Sequence, residues 1–377
     1  MINTLINTFD KNFDKHSNKY YIMKNNVYQE SGVSVEKNER VVSSIKSLVE
    51  STHSEEMKNN PIFKLGNYSG VFPFPGNIPN NDFYLTATMD GVGTKSELVK
   101  ESLGDGGFIN LGHDIVNHCI NDTLAGGGHP LFFLDYFASS NLSVKQVYNF
   151  IEGVSEACKK GNVVLLGGET AEMPDIYNTN CCDLVGCMVG YQLTSEAKNR
   201  LKNEIKPGDV IIGFPSNGLH TNGYSAVRRG IKSDIFNSWD KEKRRAFIEE
   251  CCKPHRSYLD TVSSIIKNNI TIKSHIHITG GGWLDNPPRV IPDNISVNFN
   301  WNEWKENHMP HFYFDLQEIT DMVWSEMLQV FNCGVGYMII ISKEDSNNIE
   351  KMTYLMNLGG FVIGHTEERN GEQLLFN

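Results

Sequence analysis

Residues Phe83 to Lys95 read FYLTATMDGVGTK, and this segment sets the fold class of the sequence. Apolar and polar side chains alternate from Phe83 to Met89, which predicts a β-strand with one buried face. Asp90 stands where the strand ends, and glycines follow it at once. A strand that runs into a glycine-containing turn is typical of α/β and α+β proteins, in which polar groups gather at strand ends.

The same arrangement recurs along the chain. Leu131–Phe137 is a dense aromatic strand, Val163–Leu166 is predicted to be a buried strand ending on Gly167-Gly168-Glu169, and His275–Thr279 runs into Gly280. Apolar residues at helical spacing separate these strands. The predicted helices lie around Val41–Val49, Leu111–Cys119 and Val144–Cys158. We therefore predict an α/β (α+β) protein in two parts, with a boundary in the polar stretch 195–208.

Composition excludes several classes of function. The 377 residues carry 34 basic and 45 acidic side chains, a net charge of −11, so the surface has no general attraction for nucleic acid or anionic lipid. No apolar run approaches the ~18 residues of a membrane span. The eight cysteines form no CxxC pair and the N-terminus has no apolar signal segment, which favours reduced thiols and a cytoplasmic location.

Asp90 is the first candidate site residue. A carboxylate at a strand end can hold Mg²⁺, a hard cation that prefers oxygen ligands. Gly91 and Gly93 would let the backbone approach an anion, and Lys95 could add a positive charge. The structural alternative is a plain turn beside a surface lysine. Downstream, Asp122 belongs to a polar helix flank that, taken by itself, is better explained as a solvated face.

Two further acidic residues follow apolar strands. Asp135 shares a strand face with Phe133 and Phe137, and a carboxylate buried there needs a cation, a metal ion or hydrogen-bond donors. Glu169 comes directly after paired glycines and suits a second metal or phosphate site. A structural hydrogen-bond network for Asp135 and a helix start for Glu169 are the alternatives.

The C-terminal half offers two candidate anion sites. His220 and Asn222 lie in a glycine-bounded loop before a predicted helix, where Thr221 or Asn222 can cap the helix and free N–H groups can bind an anion. His220 is then a phosphate ligand, a proton-transfer group or a loop hydrogen-bonder. Gly280, Gly281 and Gly282, with Arg289 seven residues on, form the second candidate cradle.

In this order the segments strongly resemble the aminoimidazole ribonucleotide synthetase family (phosphoribosylformylglycinamidine cyclo-ligase, the PurM family). The resemblance spans about Val27 to Gly364. It rests on DGVGTK (90–95), ND (121–122), PLFFLDY (130–136), GGETAEMP (167–174), HTNGYS (220–225), ITGGG (278–282), PR (288–289) and FNCGVG (331–336). Lys46 also fits the early lysine of the family.

The resemblance implies an N-terminal ATP-binding and dimerisation domain (27–200) whose strands join those of a dimer mate in a shared sheet or barrel. A C-terminal PurM-like domain (208–377) follows, and residues 1–26 form a flexible extension. It further implies ATP-dependent ring closure of formylglycinamidine ribonucleotide, with Mg²⁺ held by Asp90, Asp122 and Glu169, supported by Asp135. Lys46 and Lys95 would face phosphates, and His220 would assist proton transfer or bind phosphate.

Two alternatives stay open. One is another ATP-dependent member of the wider superfamily, such as selenophosphate synthetase or thiamine monophosphate kinase. The former uses an early cysteine or selenocysteine near a lysine, whereas the first cysteine here is Cys119. The other is a non-catalytic nucleotide-binding protein on the same fold, against which the retained acidic residues argue.

Overall fold

The structure is a computed structural model that describes residues 35–63, 68–73, 82–202 and 204–377. The predicted extension 1–26 lies outside the described residues, as does the start of the predicted N-terminal domain. Among the helices in the described ranges, none is both long and apolar enough to cross a bilayer.

The N-terminal part is a mixed α/β unit. Its described elements are α1 (Val35–Ser51), α2 (Glu55–Asn59), β1 (Gly70–Pro73), β2 (Phe83–Gly91), α3 (Lys95–Leu103), α4 (Phe108–Ala125), β3 (His129–Ser139), α5 (Val144–Lys160), β4 (Val164–Glu172), β5 (Cys182–Leu193) and α6 (Thr194–Lys202). The five strands form an open sheet in the order β1-β2-β5-β3-β4. All pairs are antiparallel except β3 with β4, which are parallel.

Helices α4 and α5 cover one face of this sheet. The apolar side of α4 is fully buried against it through Leu111, Ile115 and Cys119, as the sequence pattern predicts. The two helices cross at very close range, because a Cβ added to Gly153 would lie 2.0 Å from the carbonyl oxygen of Ile109. Only glycine fits there, so this crossing lets α4 and α5 pack directly against each other.

The opposite face of the sheet is apolar and exposed. Met89 pairs with Cys187, which in turn pairs with Leu134, so the three residues form one cross-strand row. Met89 is 70% exposed, and Val164 and Leu166 on β4 are 58% and 61% exposed. The sequence predicts a buried strand over Val163–Leu166; that prediction is wrong for the single chain. The strand also continues through the glycines to Glu172, so Glu169 does not begin a helix.

The C-terminal part wraps helices around a second sheet. Its elements are β6 (Val210–Pro215), α7 (Tyr224–Gly230), α8 (Asp234–Ser238), α9 (Lys241–Cys251), α10 (Leu259–Lys267), β7 (Ile272–His277), α11 (Gly282–Asp285), β8 (Ile295–Phe299), α12 (Trp301–Asn307), α13 (Phe312–Thr320), α14 (Trp324–Val330), β9 (Val335–Ile341), α15 (Lys343–Ser346), α16 (Ile349–Asn357), β10 (Phe361–Glu368) and β11 (Leu374–Phe376). The strand order is β11-β8-β10-β6-β9-β7. Every residue of β9 is buried, which places the C-terminal core around this strand.

The two parts meet along α4. Its side-chain amides bind backbone groups of the segment 252–258: Asn117 donates to the carbonyl of His255, and Asn121 donates to that of Arg256. The N–H of Tyr258 donates to Asn121 Oδ1. The polar flank of α4 is therefore a domain interface rather than the solvated face that the sequence allowed.

Candidate active site between the two domains

Asp90 lies at the end of β2, where the two domains meet. Its side chain is 40% exposed, and the backbone N–H of Gly91 donates to its Oδ1 at 2.6 Å. Gly93 has a φ of 64°, a left-handed conformation that turns the chain from β2 into α3. Asp90 thus carries a partly exposed carboxylate at the end of a strand, with Oδ1 bound by the Gly91 N–H and Oδ2 beside His118.

His118 on α4 lies behind Asp90 and is almost completely buried. Its Nε2 is 3.0 Å from Asp90 Oδ2 and 3.6 Å from Asp122 Oδ2. Burial lowers the pKa of His118, but the two carboxylates outweigh it and raise the pKa to about 9. Burial likewise raises the pKa of Asp90, yet His118 and the Gly91 N–H bring it below its usual value. The imidazolium therefore neutralises part of the negative charge.

Two more histidines from the C-terminal domain complete this group. His277 Nδ1 is 2.8 Å from Asp122 Oδ1, and its Nε2 is 3.1 Å from His255 Nε2. Thr221 Oγ1 is 2.8 Å from His118 Nδ1 and 3.5 Å from His255 Nδ1. We call His118, Asp122, His255 and His277 the histidine cluster. Burial lowers the pKa of both His255 and His277, so these two rings are neutral near pH 7.

His220 is deeply buried beside this cluster. Its ring stacks on His255 at a centroid distance of 3.8 Å, its Nε2 accepts from the N–H of Asn217, and its Nδ1 has no hydrogen-bond partner among the described residues. Burial holds the pKa of His220 well below its ordinary value. The expectation of a loop imidazole that binds phosphate is therefore corrected, because the ring has no exposed surface.

Lys95 is also buried rather than facing the cleft. Its Nζ contacts Asp114 Oδ1 at 2.7 Å and donates to the carbonyls of His220 and Lys253. Three partners inside the protein occupy the ammonium group fully. The predicted phosphate contact of Lys95 is thus replaced by a link between the domains.

The glycine loop before α11 lies next to Asn222. Thr279 N–H donates to Asn286 Oδ1, Gly281 and Gly282 have positive φ values of 97° and 58°, and a Cβ on Gly280 would lie 3.1 Å from Asn222 Oδ1. Asn222 Nδ2 is buried without a hydrogen-bond partner in the described chain. An unsatisfied donor beside a glycine loop suits an anionic ligand.

The N-cap of α7 differs from the one that the sequence predicts, and the structure also shows where Arg289 lies. Gly223, not Thr221 or Asn222, is the N-cap of α7, and no side chain caps that helix. Arg289 lies over the ring of Tyr68 at 5.3 Å, and Tyr68 O–H donates to the carbonyl of Asn286. The arginine therefore stays near the glycine loop.

The remaining predicted residues lie apart from Asp90. Asp135 pairs with Gly186, which pairs with Asp90, so the two aspartates are two strands or about 10 Å apart. Glu169 pairs with Tyr136 in the next row and points to the opposite sheet face, since side chains alternate along a strand. Lys46 is exposed on α1, where its Nζ lies 3.9 Å from Glu50 Oε1. Within the described residues, these three do not join the group at Asp90.

Sequence reasoning did not identify the histidines of the cluster as site residues. His118 and Asp122 are spaced i, i+4 on α4, a pattern that is by itself better explained as a solvated face. His255 and His277 come from loops and strands more than 130 residues away in sequence, so their meeting with α4 follows only from the tertiary fold.

Comparison with known proteins identifies what the chain is similar to. The family description "AIR synthase related protein, N-terminal domain" matches residues 69–191, and the corresponding C-terminal domain description matches residues 206–377. Phosphoribosylformylglycinamidine cyclo-ligase of Lawsonia intracellularis is 37% identical over 351 residues, covering 93% of this chain and 97% of the relative. The protein of the same name in Oleidesulfovibrio alaskensis is 36% identical over 357 residues, covering 92% and 95%.

A solved structure resembles the chain in fold. The thiamine monophosphate kinase of Aquifex aeolicus superposes with a TM-score of 0.55 at 14% sequence identity, covering 92% of this chain and 98% of that one. At a sequence identity this low, the similarity supports a shared fold and nothing more. The predicted two-domain α/β fold is confirmed, with an open N-terminal sheet in the described residues rather than a closed barrel.

Proposed function

The chain belongs to the AIR synthase related family, and from this premise we propose that it catalyses the ATP-dependent ring closure of formylglycinamidine ribonucleotide in purine biosynthesis. The product is aminoimidazole ribonucleotide. The observation that carries the proposal is the similarity over nearly the full length of both chains to relatives named phosphoribosylformylglycinamidine cyclo-ligase. Asp90, which faces the cleft from a strand end, supplies the matching chemical feature.

The reaction needs an amide oxygen to become a leaving group. Phosphorylation of the formyl oxygen by ATP achieves this, and the ring-closing nitrogen then displaces phosphate. Phosphoryl transfer depends on positioning and charge neutralisation more than on covalent help from the protein. The residues that face the cleft must therefore orient the phosphates and balance their charge.

Asp90 is suited to be a ligand of Mg²⁺. Asp122 lies behind it, with the imidazole of His118 between the two carboxylates. The carboxylate of Asp90 is half-exposed and has oxygen donors only, which suits a hard cation that keeps several waters. When bound, Mg²⁺ would neutralise charge on the phosphates of ATP. Asp90 would hold it, and Asp122 would hold the imidazole of His118 behind Asp90, while Asp135 and Glu169 lie too far away in the single chain to join them.

Asn222, Gly280 and Arg289 are the proposed phosphate-binding residues. Asn222 Nδ2 is a buried donor without a partner in the described chain, and it lies against the glycine loop. We assign His220 a positioning role, because its carbonyl holds Lys95 and its ring packs on His255.

A homodimer belongs to this proposal. The exposed apolar face of the N-terminal sheet, around Met89, Leu134 and Leu166, is a surface that a second copy would cover. A cytoplasmic location is part of it too, supported by eight cysteines that are all free.

The test is product formation by the purified protein with ATP, Mg²⁺ and formylglycinamidine ribonucleotide. We expect ADP and aminoimidazole ribonucleotide to appear in equal amounts, with ADP release dependent on the ribonucleotide. ADP release with thiamine monophosphate, and none with the ribonucleotide, would favour the kinase alternative and overturn the proposal. ATP binding without turnover on either substrate would favour a nucleotide-binding protein.

A further inference from the structure

Tyr68 joins the N-terminal domain to the glycine loop (residues 279–282) of the C-terminal domain. The residue is only 6% exposed, and its O–H donates to the carbonyl of Asn286 at 3.1 Å. Asn286 in turn holds the start of the glycine loop. From this arrangement we propose that Tyr68 is a positioning residue, which keeps the glycine loop in the conformation that binds a phosphate group of a substrate.

Tyr68 is itself fixed from the N-terminal side. Thr88 Oγ1 donates to its carbonyl at 3.2 Å, and the next residue, Ser69, leaves no room for a Cβ on Gly126, the C-cap of α4. Thr88 lies two residues before Asp90 on β2, so both side chains point to the same face of the strand. Tyr68 therefore ties the glycine loop to the strand that carries Asp90.

Asn286 passes this contact on to the loop through its side chain. Its Oδ1 accepts from the N–H of Thr279 at 2.7 Å, and its Nδ2 donates to Thr279 Oγ1 at 3.5 Å and to the carbonyl of Gly280 at 3.4 Å. The side chain is fully buried. Because a buried polar network whose members are satisfied favours one conformation, Asn286 sets the path of the backbone into the loop.

The glycine loop needs such support. Gly281 and Gly282 have positive φ values, and glycine loses much conformational entropy when it is fixed. The loop lies against Asn222, whose Nδ2 is a buried donor without a partner in the described chain. A loop that is ordered before the ligand arrives binds an anion more tightly, since the cost of ordering it has already been met.

The ring of Tyr68 makes a second contact with the proposed phosphate-binding residues. The guanidinium group of Arg289 lies 5.3 Å from the ring centroid, which is a cation–π contact. Burial raises the pKa of Tyr68, and Arg289 offsets part of this rise, so the hydroxyl stays protonated and remains a donor. Tyr68 thus acts on the loop through its hydroxyl and on Arg289 through its ring.

The inference deepens the proposed function, because it rests on the phosphate-binding role of the glycine loop. Both ATP and the ribonucleotide carry phosphate, and the test separates the two sources. Its probes are the non-hydrolysable ATP analogue AMP-PNP with Mg²⁺, and ribose 5-phosphate. Calorimetry gives the Kd of each probe without any turnover.

Tyr68→Phe removes the hydroxyl and keeps the ring. The usual net contribution of one hydrogen bond corresponds to a change of about fivefold, so the Kd of one probe should rise about fivefold. The KM of the matching substrate should rise alike, with kcat unchanged, because the loop binds the phosphate equally in the ground state and the transition state. Tyr68→Leu also removes the contact with Arg289 and should raise the same constants further.

Tyr354→Phe is the matched control. It removes a hydroxyl that donates to the carbonyl of Ser264, between α16 and α10, and none of the site residues named above lies on these helices. This variant should bind both probes as the wild type does. Circular dichroism and melting curves verify the fold of each variant, and Tyr68→Phe alone decides if Tyr68→Leu is not native.

A weaker affinity of Tyr68→Phe for AMP-PNP supports the inference and assigns the loop to ATP, whereas a weaker affinity for ribose 5-phosphate supports it and assigns the loop to the ribonucleotide. Wild-type affinity for both probes, with or without a lower melting temperature, would show a structural role only and overturn the inference. An equal loss in Tyr354→Phe, or a wild type that binds neither probe, would overturn it too. If the wild type catalyses no ring closure but Tyr68→Phe weakens one probe, the proposed function fails and the positioning role stands.

Discussion

Lys95 Nζ lies 2.7 Å from Asp114 Oδ1, and neither side chain has any exposure to solvent. The same ammonium group donates to the carbonyls of His220 and Lys253 in the other domain. A buried charge pair is stable only when further hydrogen bonds support it. Here Asp114 Oδ1 also accepts from the N–H of His255, whereas Asp114 Oδ2 has no hydrogen-bond partner among the described residues. The lysine of the DGVGTK segment thus joins the two domains.

Lys95→Met should destabilise the protein strongly. Removal of the ammonium group leaves Asp114 as an uncompensated buried charge and frees two carbonyls, which costs about 3–5 kcal/mol. Unfolding in urea followed by tryptophan fluorescence measures this. Lys145→Met is the control, because Lys145 is exposed and 3.7 Å from Asp105, and its effect should stay within about 0.5 kcal/mol. Equal effects of the two variants would contradict the assigned role.

Asp90→Asn should keep the fold and remove most activity. Asparagine is nearly isosteric, so packing survives, while a hard-cation ligand loses its charge. ADP release in the presence of ribonucleotide, beside a melting curve, gives the result. Asp82→Asn, at the exposed position just before the same strand, should retain wild-type turnover. Near-normal turnover of Asp90→Asn at ordinary Mg²⁺ would show that Asp90 is not a ligand.

His220→Ala should destabilise the protein. The ring is fully buried and stacked on His255, so its removal leaves a cavity that costs on the order of 2–4 kcal/mol. His365→Ala, at an exposed position on β10, serves as the control and should leave the melting temperature unchanged. If His220→Ala melts like the wild type, the ring does not support the domain interface.

The contact between His129 and Glu196 should weaken in acid. Their side chains are 2.9 Å apart, and the hydrogen bond from His129 lowers the pKa of Glu196, with burial opposing it. A lowered pKa in the folded state means that this stabilisation is present above the unfolded pKa of 4.5. This stabilisation is lost as the pH falls through the lower pKa that Glu196 has in the folded state.

The expected size is small, below about 1 kcal/mol, because both groups are partly exposed. Unfolding curves of wild type and Glu196→Gln at pH 7 and pH 3.5 test it: the difference between the two proteins should shrink in acid. A difference that is the same at both pH values would contradict the assignment.

Met89→Glu should prevent dimer formation. The charge would stand in the middle of the exposed apolar row with Leu134, where a partner surface would have to desolvate it. Light scattering of the wild type should give twice the chain mass of 42.5 kDa, and Met89→Glu should give the single mass. Glu306→Gln is the control, because Glu306 is exposed on α12 in the C-terminal part. A monomeric wild type would refute the dimer.

The sequence predicts those strands in which apolar and polar residues alternate clearly, and those helices in which apolar residues recur at helical spacing. β2, β3, α4 and α5 were expected from periodicity, and their observed bounds differ from the expectation by a few residues. Short strands such as β8 and β11 have too few residues to show a period. Their pairing depends on each other and on β10, so local sequence does not reveal them.

Charged and polar residues were harder to place. The flank of α4 resembles a solvated face because asparagine and aspartate are common on surfaces, yet Asn121 is buried by partners 135 and 137 residues away. Lys95 follows a glycine-containing turn, which predicts a contact with phosphate. In the structure it forms a buried ion pair with Asp114 instead. The partners of Asn121 lie in the other domain, as do the two carbonyls that accept from Lys95, and no spacing along the chain specifies them.

The interface along α4 also imposes an order on biosynthesis. Among the described residues, the side chains of Asn117 and Asn121 are hydrogen-bonded by residues 255–258, so α4 leaves the ribosome well before the segment that satisfies it. At about 5–20 residues per second, the delay for Asn121 is roughly 7–30 s. During that time the nascent N-terminal half exposes both this polar flank and the apolar sheet face. Exposed apolar surface of this kind favours association with other chains, so that interval is one in which the nascent chain is prone to aggregate.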